Sequence, residues 1–482
     1  MEIARNAMMS CYLYLMPPDE GVAAQAPHTL PVRSRMRILL WLFPIASFCF
    51  AYLVGAARAI YSPDASYYRA LAIGQHEAVP SPFSARVLGP AIAGWLGRVS
   101  GLGVDKGFLV LGIVCLAVFL ALVFQLVQHT PASGPGLADA VLCGAVFLLP
   151  FWVEIFHDYY LPDLIHGTVL AALLLCLVAG RLSLAMLLLF PAFLARESTL
   201  LVSICLAWAA WRRVPARAVV IGVMATVGGV LASHHFDSLG TMGREGLHGG
   251  LYALGKVLWS LPRNTIGLGL WTNTLSVCSS PKLVTTIPAW LSLGKIHQVG
   301  VCGLSAWGPA RAFLAWLGIF GAGPGVAFAV RRALLSPGLL SEWRWLKPGE
   351  AKRGDCEGTA IAYRFSVLYG GGSFLLAPAL GASVDRLVAY GWPFFFIALS
   401  WVLSVHFATV RIHAAWILLL HIAASWIAWF GFRTYSTPGY CVAAVLALLL
   451  NAAAYFLVDR SVVMELPAPP VLDPELHLRM TS

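Results

Sequence analysis

The chain is a succession of apolar runs, most of them about as long as a bilayer is thick, separated by short polar connections. They fall at residues 37–57, 108–128, 138–153, 164–180, 217–233, 309–330, 362–380, 387–408, 412–430 and 438–458. A helix needs ~20 apolar residues to cross the hydrocarbon layer, and inside it every backbone amide must be satisfied within the segment. The spacing therefore predicts an all-α polytopic membrane protein of about 11–12 crossings. Charged residues make up only 11% of the chain and hydrophobic ones 59%, which excludes a soluble enzyme, a nucleic-acid-binding module and a disordered chain. The net charge of +10 reads as loop orientation and contact with anionic headgroups.

Residues 182–210 are ambiguous. This apolar stretch carries Arg196-Glu197 at its middle, so it is either one long helix burying a charged pair or two half-length helices meeting there. Arg181 before it and Arg212, Arg213 and Arg217 after it belong on one side under the positive-inside rule. Two half-length crossings achieve this and place both termini in the cytoplasm, with Arg33, Arg35 and Arg37 at one end and Arg460 at the other. Short outer loops then hold only Arg196, Arg386 and Arg433. The first 35 residues lack the pattern of a secretory signal, so the first apolar run is expected to be a retained span.

The expected organisation is a cytoplasmic tail (1–36), a membrane module (37–235) with a first outer loop at 58–107, an outer segment (236–308), C-terminal membrane helices (309–459) and a cytoplasmic tail (460–482). Only Lys and Arg set this orientation, yet Asp64, Glu154, Asp158, Asp163, Arg196, Glu197, Asp237, Asp385 and Arg386 all fall at outer ends of spans. The outer face is the expected working face.

Asp64 lies in Ser62-Pro63-Asp64-Ala65-Ser66-Tyr67-Tyr68, where it is either the cap of a helix starting at Ala65 or a functional acid. Glu154 to His166 places carboxylates beside His157 and His166, and oxygen donors of this kind suit Mg²⁺ or Mn²⁺ held with a phosphate. Asp163 is equally suited to cap a helix from Leu164. Adjacent side chains on a helix point about 100° apart and make poor partners, so Arg196 is expected to seek an external anion, and its planar fork suits phosphate. Cys278 and Cys302 lie in the outer segment away from any span, where an oxidising compartment permits a disulfide. His234-His235-Phe236-Asp237 reads more simply as interfacial residues than as a metal site. Nucleotide-binding, zinc-protease and serine-hydrolase motifs are absent.

An acid in the first outer loop, a second acidic site near the third and fourth spans and a large late outer loop together resemble the C-type fold of integral-membrane glycosyltransferases. Tyr159-Tyr160-Leu161-Pro162-Asp163, Arg196-Glu197-Ser198-Thr199-Leu200 and Asp385-Arg386-Leu387 look like recurring pieces of bacterial members. The resemblance implies transfer of a sugar from a polyprenyl-phosphate donor on the periplasmic face of the inner (plasma) membrane. Asp64 would be the catalytic acid of the first loop; Arg196, Arg86 and Arg386 would bind the donor phosphate. Asp158 and Asp163, with His157 and Glu197, would hold donor sugar or a divalent ion. Many members have two acids together in the first loop, whereas Asp64 stands between Pro63 and Ala65, which puts metal binding there in doubt. The alternative is a transporter or flippase for a lipid-linked or anionic substrate, which also uses broken helices and buried charge.

Overall fold

The computed structural model describes residues 63–128, 158–211, 214–241, most of 257–331, 353–376, part of 391–399, 411–465 and a few positions within 46–53. The first helix, α1, spans Pro63–Ala72; two single 3₁₀ turns follow at His76–Ala78 and Phe83–Ala85, then α2 at Leu88–Ser100 and α3 at Val104–Gln128. Gly101 ends α2 in the left-handed region, with φ of 68° and its N–H on the Arg98 carbonyl, a conformation that glycine adopts without steric cost. Small residues let α2 lie against α3: a Cβ at Gly107 would collide with the Ala93 carbonyl. Such close approach replaces the hydrophobic drive that is missing between helices in lipid.

Next come α4 (Asp163–Val178), α5 (Leu182–Leu187), α6 (Leu189–Ala195), α7 (Thr199–Ala209) and α8 (Ala216–Leu239). The ambiguity at 182–210 resolves as a break. Arg196 has extended backbone, φ −162° and ψ 135°, and helix resumes at Thr199. At ~1.5 Å per residue, 182–195 rises about 21 Å and α7 about 16 Å, both short of a ~30 Å hydrocarbon layer. The two pieces meet at charges because neither has to carry Arg196 through the middle of the membrane.

Residues 236–308 contain a three-stranded antiparallel sheet, β1 (Leu268–Thr272), β2 (Leu283–Thr286) and β3 (Gln298–Leu304), in the order β1-β3-β2. This small sheet sits in the outer segment of a chain that is otherwise helical among the described residues. Runs as short as β2 carry no period that separates strand from helix. Cys278 and Cys302 are disulfide-bonded, with Cα atoms 5.8 Å apart, as expected.

The C-terminal part holds α9 (Trp307–Phe320), α10 (Gly323–Ala329), α11 (Arg353–Leu376), α12 (Arg411–Arg433) and α13 (Thr437–Glu465). The run at 309–330 is bent: α9 and α10 meet at 77°. Gly321 there has φ 50°, and the backbone groups released by the bend are caught by buried side chains. His421 Nδ1 accepts the Ala322 N–H at 3.2 Å, while Asn451 donates to the Gly321 carbonyl at 2.8 Å and accepts from Gly325 N at 2.9 Å. α11 starts at Arg353, ahead of the apolar run expected at 362–380.

Among the described residues four helices are long and apolar enough to cross a membrane, within α3, α8, α12 and α13, and the bent α9–α10 pair makes a fifth. α4, the α5–α6 pair and α7 are shorter apolar helices. The runs expected at 138–153 and at most of 37–57 and 387–408 lie outside the described residues. One large apolar core joins α3 to α11, and a second cluster seats α1 on the starts of α2 and α3 through Tyr68, Val79, Ala93, Phe108 and Tyr160.

Candidate functional site

Three long-range polar links bring the first loop, the start of α4, the α6–α7 break and the end of α8 to one end of the bundle. The first begins at Arg86, which follows the second 3₁₀ turn and is 5% exposed. It donates from Nε to Glu197 Oε2 at 2.8 Å, from Nη2 to Glu197 Oε1, and from Nη1 to the Tyr68 hydroxyl at 3.0 Å. Its guanidinium also lies 5.3 Å from the Phe83 ring centroid. This is the two-pronged geometry at which arginine outperforms lysine. Glu197 sits in the connection between α6 and α7. Loss of hydration by itself raises its carboxyl; the Arg86 charge and hydrogen bonds, with Arg196 beside it, override this and hold it at about 2.

The second link is Arg196 Nη1 to Asp163 Oδ1 at 2.6 Å, with both side chains 5% exposed. Arg196, extended rather than helical, reaches across to α4 for this pair. Its ion-pair partner lies within the chain: α4 begins at Asp163 itself rather than at Leu164, and this carboxylate closes the pair. Beside it, buried His166 Nε2 lies 3.1 Å from Thr199 Oγ1, which donates to the Arg196 carbonyl at 2.8 Å. The α6–α7 break is thus held to α4 through charge and through neutral hydrogen bonds.

The third link anchors the first loop to α8. Asp237 is 3% exposed and accepts from Ser81 Oγ at 3.0 Å and from Ser84 Oγ at 2.7 Å. Thr241 exchanges backbone hydrogen bonds with Val79 and Ser81, both at 2.9 Å. Asp237 is therefore a structural acid, and the neighbouring rings are packed rather than ligating, with Phe236 stacked on His76 at 5.9 Å.

Asp64 stands in the first turn of α1, which begins at Pro63 rather than Ala65, and is half-buried. One turn later, at i+4 on the same face, Tyr68 meets Arg86. Asp158, also half-buried, lies in the turn before α4, where its carbonyl accepts the Leu161 N–H at 3.2 Å. Asp105 joins the same end, accepting from Tyr160 at 3.0 Å and pairing with Arg69 at 3.2 Å. Glu154, His157, Asp385 and Arg386 lie outside the described residues.

The sequence reasoning missed Tyr68 as the partner of Arg86, the serine pair on Asp237 and the Asp105 hub. The hydroxyl in a Tyr-Tyr pair looks like interfacial belt chemistry, and a serine 156 residues from its acid leaves no local signal.

Three of the carboxylates at this end are engaged within the protein. Asp163 is committed to Arg196, Asp237 to two hydroxyls and Asp105 to Tyr160 and Arg69. Among the described residues no group of three His, Cys, Asp or Glu side chains converges as metal ligands would.

The fold and this charged end define a multi-pass, mainly helical membrane protein. No protein-family model matches the chain, and no curated protein matches it in sequence. It is similar in structure to ArnT from Cupriavidus metallidurans bound to undecaprenyl phosphate, at 13% identity, over 89% of this chain and 78% of that one, with a TM-score of 0.42. At that level the likeness carries nothing about the reaction.

Proposed function

We propose that the protein is a membrane glycosyltransferase that moves a sugar from a polyprenyl-phosphate donor to an acceptor at the outer face of the membrane. The observation that carries it is the convergence of α1, which bears Asp64, with the Arg86–Glu197 and Arg196–Asp163 pairs at one end of an apolar bundle. A lipid-linked donor needs this combination: hydrocarbon walls for its tail and a polar end for phosphate and sugar.

In this mechanism Asp64 accepts the proton of the acceptor hydroxyl. The oxygen attacks the anomeric carbon, the carbon–oxygen bond to the polyprenyl phosphate breaks with its electron pair leaving on the phosphate, and the configuration inverts. Arg86 and Arg196 stabilise the charge that grows on that phosphate, with Glu197 and Asp163 fixing each guanidinium beforehand. Asp158 contacts the donor sugar. No step is routed through a metal ion.

The bend at Gly321 favours a second reading as a transporter, since broken helices also build transport sites. Its exposed backbone groups, however, are satisfied by neutral His421 and Asn451 side chains of neighbouring helices, whereas the α6–α7 break carries charge. The two breaks are not equivalent halves of one repeat.

The test uses purified full-length protein, a panel of labelled polyprenyl-phosphate sugars and membrane extract as acceptor. The expected result is release of free polyprenyl phosphate by the wild type and its loss in a folded Asp64→Asn variant. Full release by that variant removes Asp64 from the chemistry. No release with any donor by folded wild type favours transport.

A further inference from the structure

We propose that the wedge between the bent α9–α10 pair and α13 binds one phospholipid with an anionic headgroup, an acyl chain in the wedge and the phosphate on Arg331. Because α10 leaves the line of α9 at 77°, it opens a cavity of about 390 Å³ whose walls include Phe313, Trp316, Phe328, Phe374, Leu448 and Phe456. Phe328, Leu448 and Phe456 are 59%, 49% and 58% exposed on membrane helices, so the cavity opens toward the bilayer. Asn451 also lines it, but its amide is engaged by Gly325, Gly321 and Ala447. What remains is a surface for hydrocarbon.

Arg331 supplies the polar terminus. Its guanidinium carbon lies 4.3 Å from the Phe328 ring centroid and its Nη1 donates to the Phe328 carbonyl at 2.6 Å. It makes no ion pair among the described residues. The cation is held at the wedge mouth with further N–H groups available, as a phosphate requires.

Depth separates this place from the charged site. Trp307, three residues past the end of β3 at Leu304, contacts Tyr440 at the start of α13, with centroids 6.5 Å apart. Phe328 contacts Tyr455 at 5.6 Å, about 22 Å further along α13 at ~1.5 Å per residue. That is about three quarters of the hydrocarbon thickness of ~30 Å, so Arg331 lies in the half of the membrane opposite the sheet, toward its interface. There a half-buried arginine meets anionic headgroups, and the occupant is a bilayer lipid rather than the polyprenyl donor.

The experiment is native mass spectrometry of the full-length protein in detergent with phosphatidylglycerol and phosphatidylcholine of matched chains. The wild type is expected to retain one phosphatidylglycerol with a preference of roughly fivefold, the size of one interfacial arginine contact. Arg331→Gln should abolish that preference, Arg331→Lys should keep most of it, and Ala452→Phe, which fills the wedge, should expel the lipid. Leu448→Phe replaces Ala452→Phe if the latter elutes aggregated. Equal retention of the two lipids by wild type overturns the proposal, as does unchanged retention in a folded wedge-filled variant. Displacement by polyprenyl phosphate but not by phosphatidylglycerol also overturns it, by making the wedge part of a donor site. Because the readout is lipid retention, neither result depends on glycosyl transfer.

Discussion

Arg196 and Asp163 meet at 2.6 Å with both side chains 5% exposed, joining the break between two half-length helices to the first residue of another. Removing one partner leaves a buried charge uncompensated, which costs ~3–5 kcal/mol, whereas replacing both by apolar groups of similar volume is often neutral. Asp163→Leu and Arg196→Met should each lower the unfolding temperature in detergent strongly. The double variant should be more stable than either single one. A double variant as unstable as the sum of the singles would show that the pair is not coupled.

Glu197 titrates below the ordinary carboxylate range, at about 2. A folded-state value below the unfolded one, roughly 4.3, means that its contribution is fully present above that unfolded value and is lost as pH falls toward 2. Unfolding measured from pH 7 to 3 should show a decline below about 4.5 that is smaller in Glu197→Gln. Identical acid profiles for the two proteins would contradict the Arg86–Glu197 assignment.

Tyr68→Phe removes the hydroxyl that accepts from Arg86 at 3.0 Å while keeping the ring in its apolar cluster. The expected stability loss is about 1 kcal/mol. Under the proposed function, transfer should fall more than stability does, because the same helix turn carries Asp64. A fall in donor affinity with unchanged turnover would place Tyr68 in binding instead.

At Gly240 a Cβ would lie 2.6 Å from Ser84 Cβ and 2.5 Å from the Val79 carbonyl. Gly240→Ala should therefore push the first loop away from α8 and strain the Asp237–serine contacts. Limited proteolysis should show faster cleavage within residues 74–87 and unchanged spans. Protection equal to wild type would mean that the loop accommodates the methyl group.

The Cys278–Cys302 bond closes a loop across a sequence separation of 24, worth about 3 kcal/mol to the segment it constrains. Alkylation and mass analysis without reductant should find these two thiols blocked. After reduction, hydrogen exchange should rise in β2 and β3 while α8 and α13 stay protected. Free thiols in protein isolated from cells would place the segment in a reducing compartment.

Much of the site was legible along the chain. Asp64, Asp158, Asp163, Arg86, Arg196 and Glu197 all stand out as charges bordering apolar runs, and charge in a lipid-facing sequence is costly enough to be informative by itself. Their pairing was not legible. Adjacent Arg196 and Glu197 look like partners in one dimension, yet each binds a residue elsewhere, 33 and 111 positions away. The sheet in residues 236–308 was also hidden, because its shortest strand has four residues, all exposed.

The apolar runs by themselves dictate a helical membrane protein and put its charges at helix ends, since hydrocarbon cannot solvate a backbone amide or a bare ion. Which charge neutralises which, and that four distant segments share one end of the bundle, follow only from the packing of α1, α4, α6–α7 and α8. Ion pairing acts over a few ångströms and is indifferent to distance along the chain, so only the tertiary structure decides it.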